Sequence, residues 1–389
     1  MFIKRAIAQD ILEAAKHFSA LAVLGPRQSG KTTLVRNVFT NHAYVNLEHP
    51  KTRDFAVADP EGFFEQYQNE YGLIIDEFQH VPELLSYIQI FIDERKRPGY
   101  FILTGSQNFL MNEKISQTLA GRISIHTLLP LSIGELKEAA LLPQSPEELI
   151  WKGCYPSVYI DKELSPERWY QNYIQTYLER DVRQLKQVED LQLFRTFVQL
   201  CAGRVGQLLN LSSLGNDCGV SDTTARRWIA LLEASYIIVL LQPYHKNFNK
   251  RITKSPKLYF VDTGLACSLL NIQENSVTDH YLRGGLFENM MIVDFYKRAY
   301  NQGGVPHFYF WRDQTHEIDL IIDRGTSIYP AEIKSSRTIS QSFFSNVQYL
   351  AQLAALNPKD NVIIYTGDEH QKRTMGQVIG WRDVDSIVI

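Results

Sequence analysis

Apolar positions recur at helical spacing over Ile7, Ile11, Leu12, Ala15 and Phe18, then run together from Leu21 to Leu24 as a short buried strand ending in a glycine loop. Further short apolar runs at Ala43–Leu47, Gly72–Ile75 and Tyr100–Leu103 alternate with helical or loop stretches. This alternation predicts a mostly parallel sheet covered on both faces, occupying residues 1–140. A proline-rich, acidic stretch from Pro143 to Pro166 reads as a connector. It leads into a long helix carrying Trp169, Tyr173, Tyr177 and residues Arg180–Val182 on successive turns, an aromatic stripe that predicts packing against a neighbour. Together they form a helical connector over 141–190.

Over 191–260 the pattern predicts helix, turn, helix and strand between Leu208 and Leu241. Gly219 makes the turn, and Ser221 or Asp222 caps the second helix. The remaining residues, 261–389, read as another α/β unit. Its order is a helix at Gly285–Tyr300, strands at Val305–Trp311, Glu317–Ile322 and Ile328–Lys334, a helix at Ser340–Ala355 and a strand at Val362–Tyr365.

The 389 residues exceed one ordinary core, and 44% hydrophobic composition supplies ample surface to bury. A net charge of −3 means that any contact with nucleic acid comes from a local basic patch. Cys154, Cys201, Cys218 and Cys267 are widely spaced, which argues against a zinc ribbon or a disulfide framework. No run approaches the ~18 apolar residues of a membrane span. The early charges Lys4, Arg5, Asp10 and Glu13 do not fit a signal peptide, so the expected location is the cytoplasm.

Gly25-Pro26-Arg27-Gln28-Ser29-Gly30-Lys31-Thr32 fits GxxxxGK[ST] between a strand and a helix, the context of a P-loop. Its amides, with Thr33 following, would cradle the phosphates of ATP; Lys31 would neutralise the β and γ oxygens, and Thr32 would serve Mg2+. Asp76, ending an apolar strand, would hold the metal through water, and Glu77 would activate the attacking water. Thr104 reads either as a γ-phosphate sensor or as a plain strand-end turn. Arg122 reads either as an arginine finger or as a surface ion pair.

On the second helix of the helix-turn-helix, Thr223, Thr224, Arg226 and Arg227 face away from Trp228, Leu231 and Leu232, which suits a groove-reading helix. Lys246, Lys250, Arg251, Lys254 and Lys257 follow without an intervening acid, where a wing would touch phosphates. The DNA contacts expected are therefore Arg226, Arg227, Lys250 and Arg251. The alternative is a winged helix that packs against protein. Asp319 on one strand, Glu332 and Lys334 on the next, and Glu288 on the preceding helix can converge around Mg2+ to cleave a phosphodiester. Their alternative reading is a set of exposed charges on an edge strand.

A glutamate directly after the strand-end aspartate, with a polar tip on the next strand, resembles the AAA+ type of P-loop ATPase. The C-terminal D-x12-ExK pattern resembles the PD-(D/E)xK nuclease superfamily, with Ile318 where that motif has proline. The order of the modules resembles prokaryotic AAA+ ATPases with a C-terminal domain of unknown function. The segments carrying that likeness are Leu119–Arg122, Leu129–Ser132, Tyr177–Asp181, Tyr259–Gly264, Gly285–Asn289 and Trp311-Arg312. It implies an α/β multidomain chain: an AAA+ parallel sheet, a winged helix, and a restriction-endonuclease-like α/β domain. It also implies that Arg122 acts across a subunit boundary, hence a homo-oligomer. The reading is an ATPase whose nucleotide state controls a DNA-binding and DNA-cleaving C-terminal half. Its rivals are a DNA-binding switch that never cuts and a signalling ATPase that docks other proteins.

Overall fold

A computed structural model describes residues 2–106, 117–178, 190–244 and 254–389. Two compact units emerge. One comprises the chain through Leu131 with Ala234–Tyr236 and Ala299–Val305; the other comprises Ser132–Glu233, Ile237–Arg298 and Pro306–Ile389.

The first unit is built on strands β1 (Ala20–Leu24), β2 (Ala43–Asn46), β3 (Leu73–Asp76), β4 (Phe101–Gly105) and β5 (Ile123–Thr127), all parallel, in the order β2-β3-β4-β1-β5. The continuous apolar runs of β1 and β3 are buried throughout, as expected of strands covered on both faces. One face packs with Phe63, Leu84, Ile88 and Phe101, the other with Ile7, Ile11, Leu34 and Val35. Insertion of β4 between β1 and β3 sets Thr104 beside both Val23 and Asp76 in register. The strand tips that carry the P-loop, the acid pair and Thr104 therefore share one edge.

In the second unit, helices Leu191–Ala202, Leu211–Cys218 and Asp222–Ala234 precede the antiparallel strands β6 (Ile238–Pro243) and β7 (Lys257–Phe260). Gly219 turns the chain at φ 76°, as its place in the pattern predicts. Beyond them lie β8 (Phe308–Arg312), β9 (Glu317–Asp323), β10 (Ile328–Lys334), β11 (Val362–Tyr365), β12 (Gln371–Arg373) and β13 (Gly376–Gly380). The sequence pattern divides these two regions at residue 260, whereas the structure joins them. Strand β6 pairs with β8 through Gln242–Tyr309 and Pro243–Phe310, which makes one eight-stranded sheet in the order β12-β13-β11-β10-β9-β8-β6-β7.

The connector is also part of this second unit. Gly153, at φ 67°, lets the chain pass where a side chain would strike the Tyr170 hydroxyl and the Asp262 carboxylate. Asp262 ties three segments together: it accepts from the Cys154 amide at 2.7 Å, the Tyr170 hydroxyl at 2.6 Å and the Leu265 amide at 3.0 Å. Trp169 and Tyr173 are buried and stack on one another, as the aromatic stripe predicts. The Arg180–Val182 part of that helix lies outside the described residues. All four cysteines are buried free thiols.

Candidate nucleotide site and C-terminal acid cluster

The P-loop joins β1 to helix Lys31–Val38 and takes its shape from backbone constraints. Gly25 passes so close to Leu128 that a Cβ would lie 2.1 Å from the Leu128 carbonyl oxygen, and Gly30 enters the helix at φ 94°. The Lys31 ammonium donates to the loop's own carbonyls, Gly25 at 3.1 Å and Pro26 at 2.9 Å. Burial pushes its pKa down to about 8, against the pull of Glu77 and Asp76. Ser29 Oγ is buried and has no hydrogen-bond partner among the described residues. A cationic group that donates to the carbonyls of its own loop and a hydroxyl with no partner among the described residues suit a loop built for an anion.

Across the edge of the sheet, Asp76 collects hydroxyl donors. Thr32 donates at 2.9 Å, Tyr44 donates from β2 at 2.7 Å, and Thr104 donates from β4. Thr32 and Asp76, the two residues expected to serve magnesium, thus stand in direct contact, a donor set that fits the ion. Glu77 adopts φ 54°, and its carboxylate accepts from the Gln79 side-chain amide and, at 3.3 Å, from Ser106 Oγ. Thr33 and Gln28 are exposed and Arg27 is half-buried.

Arg122 is not poised beside these groups by anything in its own contacts. It forms a two-point ion pair with Asp93, with Nε 2.6 Å from Oδ1 and Nη2 3.0 Å from Oδ2. Three contributors went unread in the sequence. Arg5, 4% exposed, donates to the carbonyls of Ser29 and Leu129, each at 2.7 Å, and so braces the loop from the N-terminal segment. Tyr44 and Gln79 meet the acid pair only through sheet order and a tight turn, which no local pattern signals.

The second set of residues also gathers, around a lysine. Glu288 stands on helix Arg283–Asn301, Asp319 on β9, and Glu332 and Lys334 on β10. Among them lies Lys257, 3% exposed, with its Nζ 2.9 Å from Glu288, 2.5 Å from Glu317 and 3.9 Å from Asp319. The sequence reading places Lys257 on a phosphate-touching wing; the structure buries it at the start of β7, the end strand of the large sheet, where it pairs with β6. Burial opposes its charge, yet Glu288, Asp319 and Glu317 outweigh that and hold its pKa above the ordinary lysine range.

Asp319 Oδ2 accepts from the Ile333 amide at 2.8 Å, Glu288 from the Tyr259 hydroxyl at 2.5 Å, and Glu332 from Lys334 at 2.5 Å and Asn346 at 3.2 Å. Burial, then the nearby Asp319 charge, raises Glu288 to about 7 and Glu332 to about 8. Among the described residues no group of three His, Cys, Asp or Glu side chains is arranged to hold a metal ion. The magnesium expected at Glu288, Asp319 and Glu332 therefore does not fit the cluster as it stands. A divalent ion 4 Å from the Lys257 ammonium would be repelled by roughly 8 kcal/mol at an effective dielectric of ~20.

In the helix-turn-helix region Thr223, Arg226 and Arg227 are exposed and Trp228 and Leu232 are buried, as the pattern predicts, whereas Thr224 and Leu231 are half-buried. Lys250 and Arg251 lie outside the described residues. Among the described residues no helix is long and apolar enough to cross a membrane.

Known proteins bear on both halves. Residues 17–137 match the AAA domain family, and residues 144–276 and 283–384 match two domains of unknown function, DUF8612 and DUF4143. The uncharacterized protein Rv2008c of Mycobacterium tuberculosis is 30% identical over 376 residues, which is 95% of this chain and 81% of that protein. The chain belongs to its family. The uncharacterized protein Mb2031c of Mycobacterium bovis, a further member, matches with the same identity and coverage. Among solved structures, the Walker-type ATPase PABY2304 of Pyrococcus abyssi matches at 14% identity and a TM-score of 0.47, covering 69% of this chain and 96% of that one. The N-terminal module of this family member is an AAA-type P-loop domain.

Proposed function

We propose that this protein hydrolyses ATP and uses its nucleotide state to control DNA binding by its second half. The observation that carries the reading is the shared edge on which Lys31, Thr32, Asp76, Glu77 and Thr104 meet, with Ser29 Oγ left without a partner. Entering phosphates would take over the Lys31 ammonium from the carbonyls of Gly25 and Pro26, and the loop amides and Ser29 would complete the cradle. Thr32 and Asp76 would hold a magnesium ion, which when bound supplies charge neutralisation to the phosphates. Glu77 would accept a proton from the attacking water after giving up its bonds to Gln79 and Ser106. Thr104, hydrogen-bonded to Asp76, would keep that carboxylate oriented.

The exposed Arg226 and Arg227 support contact with DNA by helix Asp222–Ala234. The cationic occupant of the C-terminal acid cluster favours a binding switch over a cutting enzyme. Arg122 would serve a neighbouring subunit only after leaving Asp93.

The test combines ATP turnover with duplex-DNA binding measured by anisotropy. Lys31→Ala should abolish nucleotide binding, and Glu77→Gln should bind ATP without turning it over. DNA affinity should then differ at least severalfold between the ATP-locked Glu77→Gln protein and the ADP-bound wild type. Normal turnover by Glu77→Gln would refute the assignment of the base. Equal DNA affinity in both nucleotide states would refute the coupling.

A further inference from the structure

We infer that the Lys257 ammonium is the resident cation of the C-terminal acid cluster, standing in place of a divalent metal, so that the cluster fastens β7 to β9 and helix Arg283–Asn301 and does not cleave. This inference is independent of the proposed ATP hydrolysis.

Geometry comes first. Lys257 opens β7, where it pairs with Leu241 of β6 and bridges to Leu208. Its backbone is thus fixed on two sides, and its side chain is buried. From this anchor Nζ reaches Glu288, Glu317 and Asp319, while the Phe310 ring lies 5.7 Å away. A magnesium ion sits about 2.1 Å from each carboxylate oxygen and keeps several waters. An ion on Glu288 Oε1 and Asp319 Oδ1 would share both oxygens with Nζ and would have to bring its waters into a buried space.

Three of the cluster's carboxylate oxygens carry hydrogen bonds. Asp319 Oδ2 takes the Ile333 amide, Glu288 Oε1 also takes the Tyr259 hydroxyl, and Glu332 Oε1 takes Lys334 and Asn346. Glu332 Oε2 is buried without a partner among the described residues, while Oε1 of the same carboxylate pairs with Lys334. Charge leads to the same result. Arg312 pairs with Glu317 at 3.2 Å, so Lys257, Lys334 and Arg312 stand against Glu288, Glu317, Asp319 and Glu332. Most of the negative charge that would attract a divalent ion is already met by side chains fixed in the fold.

The experiment counts Mn2+ bound to the full-length, nucleotide-free chain by the electron paramagnetic resonance of the free ion. It compares wild type, Asp319→Asn, Lys257→Met and the double variant. Wild type and Asp319→Asn should bind equal numbers of Mn2+. Lys257→Met should gain one ion per chain, at an affinity at least about tenfold above any wild-type site in the cluster, and the double variant should lose it. A wild-type ion that disappears in Asp319→Asn would overturn the inference, as would a folded Lys257→Met that gains none. If Lys257→Met does not fold, the comparison of wild type with Asp319→Asn decides by itself. Mn2+-dependent cleavage of DNA by the wild type that is lost in Asp319→Asn would likewise overturn it. ATP turnover read on the same samples reports separately on the P-loop.

Discussion

The Lys31 ammonium of the P-loop lies 2.9 Å from the carbonyl oxygen of Pro26, five residues earlier in the same loop. A lysine that satisfies its own loop while buried has exchanged water for a weaker set of acceptors, which is why its pKa falls to about 8. Between pH 8 and 10.5 the folded, nucleotide-free protein has released a proton that the unfolded chain retains, so stability should rise with pH across that window. Thermal melts of wild type and Lys31→Met should show the rise in the first and not in the second.

Phosphates favour the charged form of Lys31, so ATP binding above pH 8 should take up a proton. Affinity should then weaken with increasing pH, approaching about tenfold per pH unit. Calorimetry at pH 8.5 in buffers of different ionisation enthalpy checks the sign: a net proton release on binding would contradict it.

Arg5 spans the carbonyls of Ser29 and Leu129 with the two ends of one guanidinium. Loss of two buried charge-assisted bonds predicts that Arg5→Ala destabilises the first unit by about 3 kcal/mol and raises KM for ATP more than it lowers kcat. Arg5→Lys should recover little, because one ammonium lacks the fixed fork that reaches both oxygens. Denaturant unfolding and steady-state kinetics on both variants provide the check.

Arg122 and Asp93 form a two-point pair near the surface, which solvent screening leaves with little effect on stability. If Arg122 acts on a neighbouring subunit's nucleotide, Asp93→Ala should maintain or raise ATP turnover, while Arg122→Ala lowers it at least tenfold. Equal, small effects of both substitutions would leave the pair with a surface role only.

Arg226 and Arg227 are exposed on one helix of the second unit. If both neutralise phosphates, replacing the two with alanine should reduce the slope of log affinity against log salt by about 2 and weaken binding to all duplexes alike. Weakening confined to one duplex sequence would instead assign them to base edges.

Local pattern made much of this fold legible. Strand β1, the glycine loop and helix Lys31–Val38 follow from an apolar run, residues that tolerate positive φ, and a helical period. The strands β9, β10 and β11 and helix Arg283–Asn301 were readable as apolar runs of strand and helix length, buried almost throughout. Strands β5, β7, β12 and β13 went unread: Ile123–Thr127 is half-exposed, Lys257–Phe260 begins in a run of basic residues, and Gln371–Arg373 is too short and polar to carry a period.

The sequence by itself marked the residues of the P-loop, because Gly25, Gly30, Lys31 and Thr32 stand at fixed spacing within one short stretch of chain. It also determined that Glu288, Asp319, Glu332 and Lys334 lie on elements of one α/β region. Only the tertiary structure decided what meets them. Arg5 reaches Leu129 across 124 positions, Tyr44 reaches Asp76 across 32, and Lys257 reaches Glu288 across 31. Such contacts depend on strand order and on the pairing of β6 with both β7 and β8. A charged residue carries no local mark of whether its strand will leave it in water or bury it among acids; here β7 buries Lys257, and burial next to carboxylates turns an expected phosphate contact into an internal cation.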